Sequence, residues 1–104
     1  MTVWTETSTA VPADHPCLAG HFPGNPIVPG TLILDRVISR LSRRYPRERV
    51  GEVIIAKFLR PLRPGTPFQI HYHEKAGQVI FECRVEDVTF TTGKLALANS
   101  GPDS

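Results

Sequence analysis

Residues 20–35 read GHFPGNPIVPGTLILD, a stiff loop that runs straight into the start of an α-helix. Pro23-Gly24 and Pro29-Gly30 frame the loop. Each proline fixes φ and removes an amide donor, so His21 to Val28 is ordered without being helical. From Thr31 to Tyr45 the pattern changes, with Leu34, Val37, Ile38 and Leu41 at the spacing of one helix face. A helix therefore begins near Gly30. Beyond it the chain reads as strand. Val50 to Leu59, Pro67 to Glu74, Val79 to Val85 and Val88 to Ala98 are rich in β-branched, aromatic or alternating residues, and Gly65, Gly77 and Gly93 mark breaks between or within them. Thr2 to Thr9 adds a fifth strand, and Phe68 to Glu82 reads as a hairpin with Lys75-Ala76-Gly77 at its tip. One long helix cannot cover both faces of such a sheet. The economical fold is α+β, an antiparallel sheet wrapped around that helix, with further burial between protomers.

Composition fits this scale. A chain of 104 residues with 40% hydrophobic content can bury one core, and a domain this small gains from oligomer contacts. We read residues 1–104 as one domain, without repeat, low-complexity segment or linker, and with a polar tail from Asn99 to Ser104. No apolar run has the length of a membrane span, and the polar start MTVWTETST lacks the features of a secretory signal, so a cytoplasmic location is expected. Cys17 and Cys83 are too few for a disulfide framework, and free thiols are expected.

The loop and helix start carry the chemistry. The first amides of a helix have no intrahelical carbonyl partner and sit at the positive end of the macrodipole, which suits the Gly30 region to a developing oxyanion. Glycine also admits a ligand close to the backbone. Asp35 falls beside the apolar stripe, and its neighbours three and four residues away, Thr31, Leu32, Ile38 and Ser39, offer no helix ion pair. Desolvation of such an acid raises its pKa, as a proton donor near neutral pH requires. Taken singly, His21 reads equally as a surface histidine and Asp35 as a solvated acid of the first helical turns.

Together, GHFPGNPIVPG and an acid fourteen residues after the histidine resemble the active-site motif of the β-hydroxyacyl-(acyl carrier protein) dehydratases, the bacterial fatty-acid dehydratase family with a hot-dog fold. KFLRPLRPGTPF, Lys57 to Phe68, resembles that family's central strand and the turn after it, so the likeness runs roughly from Pro12 to Asn99. The chain reads as a shortened member, with a strand where the family usually has an amino-terminal helix. The resemblance implies His21 as the catalytic imidazole, Gly30 as the amide donor to the thioester carbonyl, and Asp35, supplied by the partner of a homodimer, as the acid. It implies loss of water from a 3-hydroxyacyl thioester carried on acyl carrier protein, in fatty-acid or specialised lipid or polyene assembly, with no metal or organic cofactor beyond the substrate's phosphopantetheine. An acyl thioesterase and a non-catalytic acyl- or carrier-binding module are the alternatives on the same fold. An acyl tunnel would draw its walls from Phe22, Leu32, Ile33 and Phe58, although apolar residues at such spacing are commonly core.

A net charge of +2 does not indicate nucleic acid, but its distribution is uneven. Arg43 and Arg44 suit a solvated helix C-terminus. Lys57, Arg60 and Arg63 are the better candidates for docking an acidic carrier protein. His71-x-His73 sets two imidazoles on one face of a strand, and His15, Cys17 and His21 are close in sequence, yet neither spacing matches a strong zinc signature, and no metal is expected.

Overall fold

The computed structural model describes residues 2–8, 10–12, 27–45 and 48–99. His15, Cys17, His21 and Phe22 lie outside these residues, as do positions 100–104. The elements are β1 (Thr2–Ser8), α1 (Gly30–Arg44), β2 (Glu48–Phe58), β3 (Phe68–Lys75), β4 (Gln78–Val85) and β5 (Val88–Asn99). The strands form one antiparallel sheet in the order β1-β3-β4-β5-β2. This is the expected hot-dog arrangement of one helix and five strands.

Alternation along the strands decides which residues meet the helix. Register places Trp4, Tyr72, Phe81, Gly93 and Ala56 in one row across the sheet, and Glu6, Ile70, Cys83, Thr91 and Phe58 in the next. Ile70, Tyr72, Phe81 and Cys83 of these rows join Ile33, Val37 and Leu41 of α1 in the core. The buried helix row is thus Ile33, Val37, Leu41, with Leu34 and Ile38 half-buried on its flank. Leu32, Ile33 and Leu34 are consecutive and apolar, so spacing alone did not separate them. The Tyr72 hydroxyl, buried against α1, donates to the Val37 carbonyl at 2.6 Å and ties the helix to the sheet with that row inward.

A seam of polar contacts closes the side of α1 that faces β1. Arg36 Nη1 donates to Ser8 Oγ at 3.2 Å, and the Arg44 guanidinium lies 4.1 Å from the centroid of the Trp4 ring. Trp4 in turn stacks on Tyr72 with centroids 4.9 Å apart. Helix residues four apart rise about 6 Å and strand residues two apart about 6.7 Å, so the two rows run nearly in step. Arg43 and Arg44 are both exposed at the helix end, as expected, and Arg44 in addition covers the Trp4 ring.

Tight turns join the last three strands. Ala76 (φ 55°) and Gly77 (φ 79°) link β3 to β4, and Glu86 (φ 49°) and Asp87 (φ 70°) link β4 to β5, the double left-handed pattern of a type I′ hairpin. Gly93 marks no break. It sits inside β5, where a Cβ would fall 2.4 Å from the Phe81 ring and 2.7 Å from the Ile55 carbonyl oxygen, so its role is to admit an aromatic side chain. Among the described residues no helix is long and apolar enough to cross a membrane.

Candidate active site at the start of the helix

Pro29 is the N-cap of α1, with φ −59° and ψ 144° and no side-chain cap. Its carbonyl accepts from the amides of Leu32 at 3.0 Å and Ile33 at 3.4 Å. The Gly30 and Thr31 amides precede these and have no carbonyl within the helix to receive them. Nor does the first turn hold an acidic side chain to compete for them. Among the described residues the helix start is therefore a positive pole that no side chain caps.

Two backbone bonds fix what surrounds it. The Val28 amide donates to the Leu62 carbonyl at 2.8 Å, and the Leu59 amide to the Phe90 carbonyl at 2.8 Å. The segment after β2 is thereby held beside the segment before α1. Between them lies a cavity of about 400 Å³, lined by Val28, Pro29, Gly30, Ile33, Phe58, Leu59, Arg60 and Leu62 among others. A second cavity of about 340 Å³ on the far side of residues 60–62 is lined by Arg60, Arg63, Thr66, Glu86, Val88 and Phe90. Arg60 borders both.

The expected site residues are distributed as follows. Gly30 is the first residue of α1 and opens on the larger cavity. Asp35 is exposed on α1, in the turn after the one that Gly30 opens. Of the expected tunnel walls, Ile33 and Phe58 line the Gly30 cavity, and Leu32 packs half-buried against the core instead. Ile33 is itself part of that core. Lys57 alternates with Phe58 on β2 and pairs with Thr92, which puts it on the opposite face of the sheet from Phe58. His21 and Phe22 lie outside the described residues.

Other reactive groups are held apart from this site. Cys83 is a free thiol in the core, and burial pushes its pKa up to about 12. Burial also raises the Tyr72 hydroxyl above its usual range, with Cys83 adding to the shift. The Thr91 hydroxyl, beside Phe58 on the inward row, is buried without a hydrogen-bond partner among the described residues. On the outer face His71 Nδ1 lies 3.3 Å from Thr5 Oγ1. Among the described residues no three His, Cys, Asp or Glu side chains lie close enough to share a metal ion.

The model of the ApeI-like family, described as ApeI dehydratase, matches residues 4–94. The chain belongs to the ApeI dehydratase family. A solved structure shares the fold. The dehydratase heterocomplex ApeI:P from Xenorhabdus doucetiae superposes with a TM-score of 0.76 at 22% identity, over 93% of this chain and 88% of that one. Among curated proteins, the chain is 32% identical over 99 residues to a 3-hydroxyacyl-(acyl-carrier-protein) dehydratase FabZ of Haemophilus influenzae, strain PittEE, covering 86% of this chain and 62% of that protein. The FabZ of Lactobacillus helveticus is 30% identical over 96 residues, 80% of this chain and 65% of that protein. The chain thus spans less than two thirds of the length of these relatives.

Within this ApeI-family chain, sequence reasoning missed Leu59, Pro61 and Leu62 as walls of the Gly30 cavity. Their signal was present. Pro61 and Pro64 bracket a stretch that cannot continue β2, which forces residues 59–66 to fold back over the helix start.

Proposed function

We propose that the chain catalyses the loss of water from a 3-hydroxyacyl thioester, giving the trans-2-enoyl thioester. The observation that supports this reading is the helix start at Gly30, uncapped among the described residues and opening on a cavity of about 400 Å³. His21 takes the proton α to the thioester carbonyl, the Gly30 amide holds the negative charge that develops on the carbonyl oxygen, and Asp35 protonates the departing β-hydroxyl. One C–H and one C–O bond break, the carbon–carbon double bond forms, and water leaves. The sequence calls for no metal or organic cofactor. A neutral imidazole, with an ordinary pKa of about 6.5, is already the major form near neutral pH.

Asp35 stands about 7.5 Å along the helix axis from Gly30 at the usual rise and is exposed. It belongs in this reading to the site of a partner protomer, so that a homodimer carries two composite sites. Arg60, on the rim of both cavities, and Arg63, on the second, receive an acidic acyl carrier protein, whose phosphopantetheine reaches Gly30. Lys57 joins them only if the carrier also touches the outer face. A cytoplasmic enzyme of fatty-acid or specialised lipid or polyene assembly fits these properties.

The test is turnover of 3-hydroxyacyl thioesters on acyl carrier protein, followed by mass spectrometry, for the wild type, His21→Ala and Asp35→Asn. Loss of 18 mass units (water) with the wild type, and a drop of at least about a hundredfold in each variant, is the expected result. Release of free acid by the wild type makes the protein a thioesterase. Binding of acyl carrier without turnover, unchanged in both variants, makes it a non-catalytic module.

A further inference from the structure

Gly30 raises a question that its role as an amide donor does not answer. Any residue except proline supplies that amide, and glycine is a poor choice inside a helix because its backbone loses the most freedom on folding. Nor does conformation require it, since the positive-φ glycines among the described residues are Gly65 and Gly77. What excludes a side chain is Phe58. A Cβ at Gly30 would fall 2.5 Å from Phe58 Cζ, 2.7 Å from Cε1 and 3.0 Å from Cε2. The tip of the ring occupies the place of the missing methyl group.

Phe58 is at the same time 50% exposed, at the last position of β2, and lines the same cavity as Gly30. A large aromatic ring this exposed is not there to fill the core. Its neighbour across the sheet, Thr91, is fully buried, with no hydrogen-bond partner for its hydroxyl among the described residues. We propose that Phe58 is the specificity-determining residue of the site, its ring seated on Gly30 so that it narrows the passage an acyl group must take past the helix start. This rests on the dehydratase reading above. Short acyl groups pass with the ring in place, and longer ones have to displace it.

The experiment is a double-mutant cycle of Gly30→Ala, Phe58→Ala and the pair, read by thermal unfolding, by turnover across acyl lengths, and by binding of butyl, octyl and dodecyl pantetheine thioethers. Alanine keeps the amide, so Gly30→Ala should lower stability and activity through its clash with the ring alone. In the Phe58→Ala background the same change should cost little, which establishes the contact, and the length preference is the readout that a merely structural contact would not move. Phe58→Ala by itself should favour long over short chains by about tenfold in relative kcat/KM and in relative affinity. Additive losses in the cycle, or an unchanged length preference, overturn the proposal. Because unfolding and thioether binding need no turnover, a wild type that fails to release water refutes the dehydratase reading while these measurements still decide the role of Phe58.

Discussion

Cys83 shows what a single buried residue does to the pH response. It sits against Tyr72 in the core, and burial raises both groups, the thiol to about 12 from an ordinary 9.0. The sign follows from linkage. Below pH about 9 the thiol is neutral in both native and unfolded chains and contributes no pH dependence; above it the unfolded chain releases a proton that the native chain retains. Stability is therefore complete below the unfolded value and falls as pH rises from there toward the native one. Each pH unit in that window costs about 1.4 kcal/mol for one such group. Urea unfolding at pH about 9 and about 10 should show Cys83→Ala losing about 1 kcal/mol less than the wild type over that interval, since the unfolded thiol is only half ionised at its start. Cys17 is common to both proteins and drops out of the comparison. Equal losses in the two would mean that the thiol ionises in the native protein.

At the scale of elements, the hairpin between β4 and β5 pays for its register with two non-glycine residues in the left-handed region, Glu86 and Asp87. The preceding hairpin places glycine at its second position. A type I′ turn favours Asn-Gly because both positions need positive φ. Replacing Glu86-Asp87 by Asn-Gly should raise stability by about 1 kcal/mol, measured as a shift in the urea midpoint with unchanged slope; a loss would show that Glu86 or Asp87 makes a contact worth more than the strain. The same contrast explains what was legible in the sequence. Helix and strands were readable because burial imposes a period on them, and the loop before α1 because prolines and glycines fix it. Gly93 was misread because a glycine that makes room for Phe81 looks the same in sequence as one that ends a strand. The Arg36 and Arg44 seam was hidden for a related reason: β1 and α1 meet only in three dimensions, and an arginine on an aromatic ring has the same spacing as one in water. In the site, Gly30 was found through its place in the helix, whereas its contact with Phe58 joins residues 28 positions apart, which no local pattern records.

For the whole molecule, the decisive feature is the outer edge of β2. Among the described residues β2 pairs with β5 on one side and with no strand on the other, and it is the strand richest in exposed apolar residues. Val53, Ile54 and Ile55 are 39%, 43% and 45% exposed, and Phe58 and Leu59 continue the patch. Long apolar edges pair with other chains unless they are blocked. β1, at the opposite edge, is shorter and mixes threonines and Glu6 with its apolar residues. A second copy joined through β2 would extend the sheet across the dimer and cover the patch in one step. It would also add the burial that a chain of 104 residues gains little of by itself, and it would bring the two Gly30 cavities, each walled by its own Phe58 and Leu59, towards the common interface. This is the assembly that the composite site proposed above would require. Ile54→Lys should then place an unpaired charge in the interface and shift a dimer to monomer at micromolar protein in sedimentation equilibrium, with activity falling in parallel as Asp35 is withdrawn from the partner's site. A wild type that is monomeric and fully active at that concentration would require Asp35 and His21 to act within one chain, and a dimer indifferent to the lysine would place the contact elsewhere than on β2.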